Sequence, residues 1–177
     1  FRGLEEIGNV AFMEDPLQRN DLTTYAELRK LCSTPIAVHI ALGLSEPRQD
    51  PRELSRAFKA GAADAFNITA GAARFLRMCA AADLMERPCW HGSGIDLGVL
   101  EAVHLHAAAC AAACTLPSDI FGRRIREHDL LVNPIDINGG IAVVPCTAGL
   151  GVSLDLDAVA RYTTDEATYG KAPTLDD

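Results

Sequence analysis

The feature that most constrains this chain is the steady alternation of short apolar runs with helical patterns between residues 10 and 120. Val10-Ala11-Phe12-Met13 is a short apolar run ended by Glu14-Asp15-Pro16. Asn20-Asp21 supplies capping side chains for a helix from Leu22 to Leu31, with Leu22, Tyr25, Leu28 and Leu31 spaced for one face. Pro35 to Ile40 is β-branched and bounded by proline, which reads as the next strand. Pro51 opens a helix through Ala60, and Gly61 stops it. Asp64 to Ile68 is a third strand, Ala72 to Leu84 a helix, Pro88 to His91 a fourth strand and Leu97 to Ala113 a long helix. Leu116 to Ile120 closes the series as a fifth strand or strand end. Strands and helices taking turns at this spacing predict an α/β fold built on a parallel sheet.

After Leu130 the pattern changes. Leu131 to Ile137, the turn Asn138-Gly139-Gly140, and Ile141 to Val144 predict a β-hairpin, and Leu154 to Tyr162 a short closing helix. A parallel sheet that starts at its first strand leaves that edge open. The 177 residues also fall short of the roughly 250 of a complete eight-stranded α/β barrel. The expectation is therefore a chain truncated at its N-terminus, with a small open sheet as the alternative.

Charge and cysteines narrow the class. The formal net charge is -8, and the closest basic cluster, Arg123-Arg124-Arg126, is followed at once by Glu127 and Asp129, so no nucleic-acid surface is expected. The six cysteines form no C-x-x-C pair and sit among alanine, valine and leucine. They read as reduced, core-filling thiols of a cytoplasmic protein, with Cys110 and Cys114 on one helical face. No leader and no membrane-spanning run is visible, since the alanine-rich stretch from His104 to Cys114 is too short to cross a bilayer.

Several segments, in order, resemble the enolase superfamily, in its mandelate racemase and muconate lactonizing branch. Phe12-Met13-Glu14-Asp15-Pro16-Leu17 resembles the end of that family's fourth barrel strand, and Thr34-Pro35-Ile36-Ala37 the entry to the fifth. Ala60-Gly61-Ala62-Ala63-Asp64-Ala65-Phe66-Asn67-Ile68 resembles the sixth, Pro88-Cys89-Trp90-His91-Gly92-Ser93-Gly94 the seventh, and Ser118-Asp119-Ile120-Phe121-Gly122 the eighth. The resemblance implies a TIM-type (β/α) barrel, with residues 1–130 giving about the fourth to eighth strands. Residues 131–162 would form a closing hairpin and helix packed on an N-terminal lid domain, and 163–177 a loose tail. It also implies Mg²⁺, a small-molecule carboxylate substrate and a homo-oligomer. The chemistry would be removal of the proton next to the carboxylate, giving racemisation, cycloisomerisation or dehydration of a hydroxy or sugar acid. The family's lysine pair on the second strand and first metal-binding Asp on the third have no counterpart here.

The resemblance also assigns residues. Glu14 would be a metal ligand, because a carboxylate ending a buried strand is costly unless it meets a cation; the plainer reading is a salt-bridged acid before a turn. Asp15 would support the turn at Pro16. His39 stands where the family has a third acidic ligand, and would contact substrate or metal, or only backbone. Asn67 would bind substrate or orient a base. His91 is read equally as a general acid or base, its pKa lying near neutrality, and as a histidine packed beneath the glycine turn. Gly92 and Ser93, with Gly94, would offer backbone amides to a substrate carboxylate. Asp96 would orient His91 or cap the helix from Leu97. Asp119 would contact substrate at the eighth strand's end. His104 and His106 are taken as structural, and His128 as solvated. The missing fifth-strand carboxylate leaves a second reading open, an altered-site or non-catalytic relative serving as a scaffold or assembly subunit.

Overall fold

The computed structural model describes residues 2–18, 21–40 and 52–164. The expected cap at Asn20, the helix start at Pro51 and most of the tail lie outside them. Four strands, β1 (Met13–Glu14), β2 (Ile36–Ile40), β3 (Ala65–Ile68) and β4 (Cys89–His91), pair in sequence order as one parallel sheet. The helices α2 (Leu22–Leu31), α3 (Arg52–Lys59), α4 (Ala72–Leu84) and α5 (Gly98–Cys110) connect or follow them. A short α1 (Arg2–Ile7) precedes β1 and was not legible in the sequence. Asp21 caps α2, its side chain accepting from the Thr24 backbone N–H at 3.1 Å.

Period-two alternation divides the sheet into two faces. Ile36, Val38, Ile40, Phe66, Ile68 and Cys89 belong to one face, packed with Tyr25, Leu54, Phe75, Met78 and Cys79 of the helices. Ala37, Ala65 and Trp90 belong to the other, packed with Phe12 and Leu116. The register sets His39 beside Asn67 and Asn67 beside Trp90, so these three share the second face. Ala37 and Ala65 keep that face low beneath the polar groups. At the opposite, N-terminal end of the sheet, Arg29 grips Asp64 through Nε at 2.9 Å, and Asp64 accepts the Ile36 N–H at 3.0 Å.

The expected fifth strand does not form as a regular element. Its segment follows β4 through three backbone hydrogen bonds: Cys89 N–H to Ala113, Leu116 N–H to Cys89, and Asp119 N–H to His91. Pro117 lacks an N–H and interrupts the ladder between the last two. The long helix stops at Cys110 rather than Ala113, so Cys114 bridges to Cys89 in the sheet instead of sharing a helical face with Cys110. All six cysteines are free thiols.

The hairpin is shorter than expected: β5 (Ile137–Asn138) pairs antiparallel with β6 (Ile141–Ala142) across Gly139 and Gly140, both at positive φ. Its residues pack with Val99, Ala102 and Leu105 of α5 in a second core around Ile120, Leu131 and Ile135. A last helix, α6 (Leu156–Tyr162), is capped by Asp155. His128 is partly exposed and also makes contacts. Its Nδ1 accepts the Leu130 N–H at 3.0 Å, and its ring stacks on Tyr162 at 5.8 Å, which clips α6 to the preceding loop.

Phe66, fully buried between sheet and helices, should test this layering. Phe66→Ala is expected to cost about 3–5 kcal/mol, read as a lower urea midpoint at an unchanged slope. Leu84→Ala, at a site 88% exposed, should move the midpoint by no more than about 0.5 kcal/mol.

Candidate active site at the strand ends

Six side chains at the strand ends form one row of polar contacts on the second face. Asn67, 1% exposed, extends its amide nitrogen to Glu14 Oε1 at 2.7 Å and to Asp119 Oδ2 at 3.2 Å. Both amide hydrogens are thereby used, each on a different carboxylate. The Trp90 indole N–H donates to the same Asp119 oxygen at 3.1 Å. His39 sets Nδ1 3.2 Å from Glu14 Oε1 and Nε2 2.8 Å from Thr69 Oγ1. The row thus runs from Thr69 through His39, Glu14, Asn67 and Asp119 to Trp90.

The elements explain the convergence. His39, Asn67 and Thr69 are even-numbered steps along neighbouring parallel strands, so they point the same way. Asp15 adopts φ 42°, a conformation uncommon for a residue with a side chain, and accepts the His39 backbone N–H at 3.0 Å. Asp15 therefore ties β1 to β2. Glu14 departs from expectation in another way: its side chain is 37% exposed, because β1 is a two-residue strand at the edge of the described sheet. The cost of burying a carboxylate does not apply to it, and its role rests on what it meets.

Of the expected residues, Glu14, His39, Asn67 and Asp119 come together. The others serve the loop beside them. Gly92 donates its N–H to Ile68 at 3.0 Å, and Gly94 donates to Asp96 Oδ2 at 3.1 Å, so two of the three amides proposed for a substrate are engaged internally. A Cβ on residue 92 would collide with Asn67 Oδ1 and Thr69 Oγ1, so glycine is required here for close approach. Ser93 Oγ donates to the Asp119 carbonyl at 2.6 Å and accepts from Ile95 N–H at 3.2 Å. Asp96 neither caps α5 nor touches His91; it lies 3.4 Å from His104 Nδ1.

His91 follows Trp90 and therefore faces the helices, away from the row. It is fully buried between Phe75 and His104, with ring centroids 4.1 Å from each. Its Nδ1 lies 2.6 Å from the Gly92 carbonyl, which can only accept, so Nδ1 carries the hydrogen and Nε2 keeps its lone pair without a partner. Burial first, then the neighbouring His104, push its imidazole down to about 4. It is the packed histidine of the second sequence reading, and its backbone carbonyl steadies Asp119 through the Asp119 N–H. The sequence reading also missed Glu101, a buried residue of α5 that accepts the Gly122 N–H and so fixes the turn after Asp119. Burial pushes its carboxyl upward. An acid at an otherwise apolar position of α5 was the available signal.

The family expectation of Mg²⁺ can be set against these donors. Glu14, Asp15 and His39 each offer one ligand atom, all within 4.8 Å of one another. Two carboxylates suit a hard dication, but Mg²⁺ is an oxygen-binding ion and the third donor is an imidazole nitrogen. The set fits a divalent cation, and fits Mg²⁺ poorly.

A parallel β/α sheet with acidic and amide groups gathered at the C-terminal ends of its strands places them where α/β folds, barrels among them, carry their sites. Residues 1–159 match the family model described as enolase C-terminal domain-like, and the chain belongs to the enolase superfamily, in its mandelate racemase and muconate lactonizing branch. It is 31% identical over 157 residues to N-succinylamino acid racemase of Thermus thermophilus, which covers 86% of this chain and 41% of that protein. It is 29% identical over 183 residues to o-succinylbenzoate synthase of Geobacillus stearothermophilus, covering 98% of this chain and 45% of that protein. Among solved structures, 2-chloromuconate cycloisomerase of Rhodococcus opacus 1CP superposes with a TM-score of 0.80 at 23% identity, over 92% of this chain and 43% of that one. The chain spans less than half the length of these relatives, and its fold is the later part of the family's barrel domain. Among the described residues, no helix is long and apolar enough to cross a membrane.

The burial of His91 makes a pH prediction. Its ordinary value near 6.5 holds in the unfolded chain, which then takes up a proton that the folded chain refuses. Its contribution to stability is therefore full above about pH 6.5 and is lost as the pH falls toward 4. NMR titration should find the His91 ring neutral at pH 5.5, and His91→Phe should flatten the acid limb of the stability curve by up to about 1.4 kcal/mol per pH unit. A ring that titrates near 6.5 would show that it is not enclosed.

Proposed function

We propose that this chain supplies the cation-binding and acid-bearing half of an enolase-superfamily active site that removes the proton next to a substrate carboxylate. The observation that carries the reading is the single amide of Asn67 joining Glu14 and Asp119 at the strand ends. The products would be those of racemisation, cycloisomerisation or dehydration, and the substrate a small carboxylic acid. The names of the relatives favour an N-succinylamino acid or a muconate over a sugar acid. The reading extends to a homo-oligomer, the arrangement the resemblance implies.

The roles follow from geometry. A divalent cation bound beside Glu14 would stabilise the negative charge that develops as the proton leaves. Glu14 is held in place from two sides, by Asn67 and by His39. Asp119 is fixed through Oδ2 by Asn67 and Trp90, so its carboxyl presents one orientation to a substrate. Trp90, 2% exposed and packed at a tilt against Phe12 with ring centroids 5.1 Å apart, forms an apolar floor that excludes water below the row. Asn67 is then a positioning residue, and Asp119 the group nearest the reacting carbon.

The altered-site reading keeps one specific support: of the two side chains expected to be catalytic, His91 faces the helices and only Asp119 reaches the row. Exchange of the α-proton in heavy water separates the readings. Offered N-succinylamino acids, muconolactones and hydroxy acids, the protein is expected to wash deuterium into at least one class. Glu14→Gln should reduce that rate by about 100-fold or more. A folded protein that exchanges none of them in the presence of Mg²⁺, Mn²⁺ or Zn²⁺ would be the scaffold.

A further inference from the structure

His39 occupies the one position of the row where a carboxylate was expected, and the structure shows what its ring does there. The side chain is 7% exposed, and its Nδ1 is directed at Glu14 Oε1, 3.2 Å away. That spacing is longer than the 2.7–2.9 Å of a charge-assisted N–H···O bond. It is close to the separation of about 3 Å expected for two ligands at right angles on one cation with bonds of about 2.1 Å. The other ring nitrogen, Nε2, lies 2.8 Å from Thr69 Oγ1. The Thr69 hydroxyl can donate to Nε2 or accept from it; as acceptor it is the kind of partner that fixes a metal-binding histidine's tautomer and turns the Nδ1 lone pair toward a cation seated between it and Glu14. Asp15 holds the same residue from behind through the His39 backbone N–H, and contributes the second carboxylate of the cluster. Asn67, buried and aimed at Glu14 through its amide, fixes the carboxylate that completes the pair.

We propose that His39 Nδ1 is a direct ligand of the cation site, and that the mixed oxygen and nitrogen donor set makes the site select a first-row transition dication such as Mn²⁺ or Zn²⁺ over Mg²⁺. This rests on reading the Glu14 cluster as a cation site. Thr69 is the positioning residue that holds the ring. Oxygen donors from elsewhere in the full protein would add to the set without removing the nitrogen.

Mn²⁺ alone is the probe, because its electron spin reports a coordinated nitrogen directly. Pulsed electron paramagnetic resonance on the Mn²⁺-loaded protein is expected to show nuclear modulation from one directly bound imidazole ¹⁴N. In His39→Asp that modulation should vanish while Mn²⁺ still binds. Competition measured by the free-Mn²⁺ signal gives the second readout. Mg²⁺ is expected to displace Mn²⁺ at least about tenfold more readily from His39→Asp than from the unmodified protein. His39→Asn, which keeps a neutral polar group near the place of Nδ1, provides the nitrogen test if the aspartate variant does not fold, as judged by circular dichroism. Bound Mn²⁺ without coordinated nitrogen, or an Mg²⁺ to Mn²⁺ preference unchanged in His39→Asp, overturns the proposal and leaves the catalytic reading intact if α-proton exchange persists. Failure to bind Mn²⁺ at all overturns the proposal together with the cation site on which it rests.

Discussion

The candidate site depends on one amide. Asn67 sits in the middle of the sheet, almost wholly buried, and its nitrogen binds a carboxylate from β1, two strands away on one side, and a carboxylate from the segment beyond β4 on the other. Without it, the two acids would lose the donor they share, while Asp119 would keep the Trp90 N–H and Glu14 its contact with His39. With it, both are oriented and neither has to move. The demand reaches the neighbouring loop. Residue 92 must be glycine because the other end of the same amide, and Thr69 beside it, fill the space a side chain would take.

The second constraint is the alternation of the strands, which sorts polar groups by face. Trp90 and His91 are adjacent in sequence and opposite in destination: one floors the strand-end row, the other is stacked under the helices. The buried pair His91 and His104, with Asp96 beside His104, forms a polar column behind the sheet that carries no access to the row. Its work is structural, since it holds the backbone of β4 and the turn after it, and through them Asp119. The closing segment packs on α5, whose own Glu101 fixes the turn at Gly122.

Much of the fold was legible in the sequence because its signals are local. The helix from Ala72 to Leu84 and the helix from Leu22 to Leu31 occupy the residues their periodicity marks, and three strands begin within a residue of the proline or acid that bounds them. What failed locally has a local cause: the missing N–H of Pro117 keeps the last strand from becoming regular, and the helix before it ends three residues early. At the site, the residue types were legible and their partners were not. Glu14, His39, Asn67 and Asp119 were identifiable as strand-end polar groups, but bonds spanning 25 to 53 positions of sequence depend on register. Counting by twos from Ala65 and Ala37 would have set Trp90 inward and His91 outward, and would have added Thr69 to the row. The exposure of Glu14 was beyond such counting, because it depends on which strand lies at the edge.

The central claim is that Glu14, Asn67 and Asp119 act as one unit. A double-mutant cycle on α-proton exchange tests it most directly, using Asn67→Leu, Asp119→Asn and the two together. If Asn67 works by holding Asp119, the double variant should be scarcely slower than the worse single variant. If the two losses multiply, the residues act independently and the shared amide is not what organises the site.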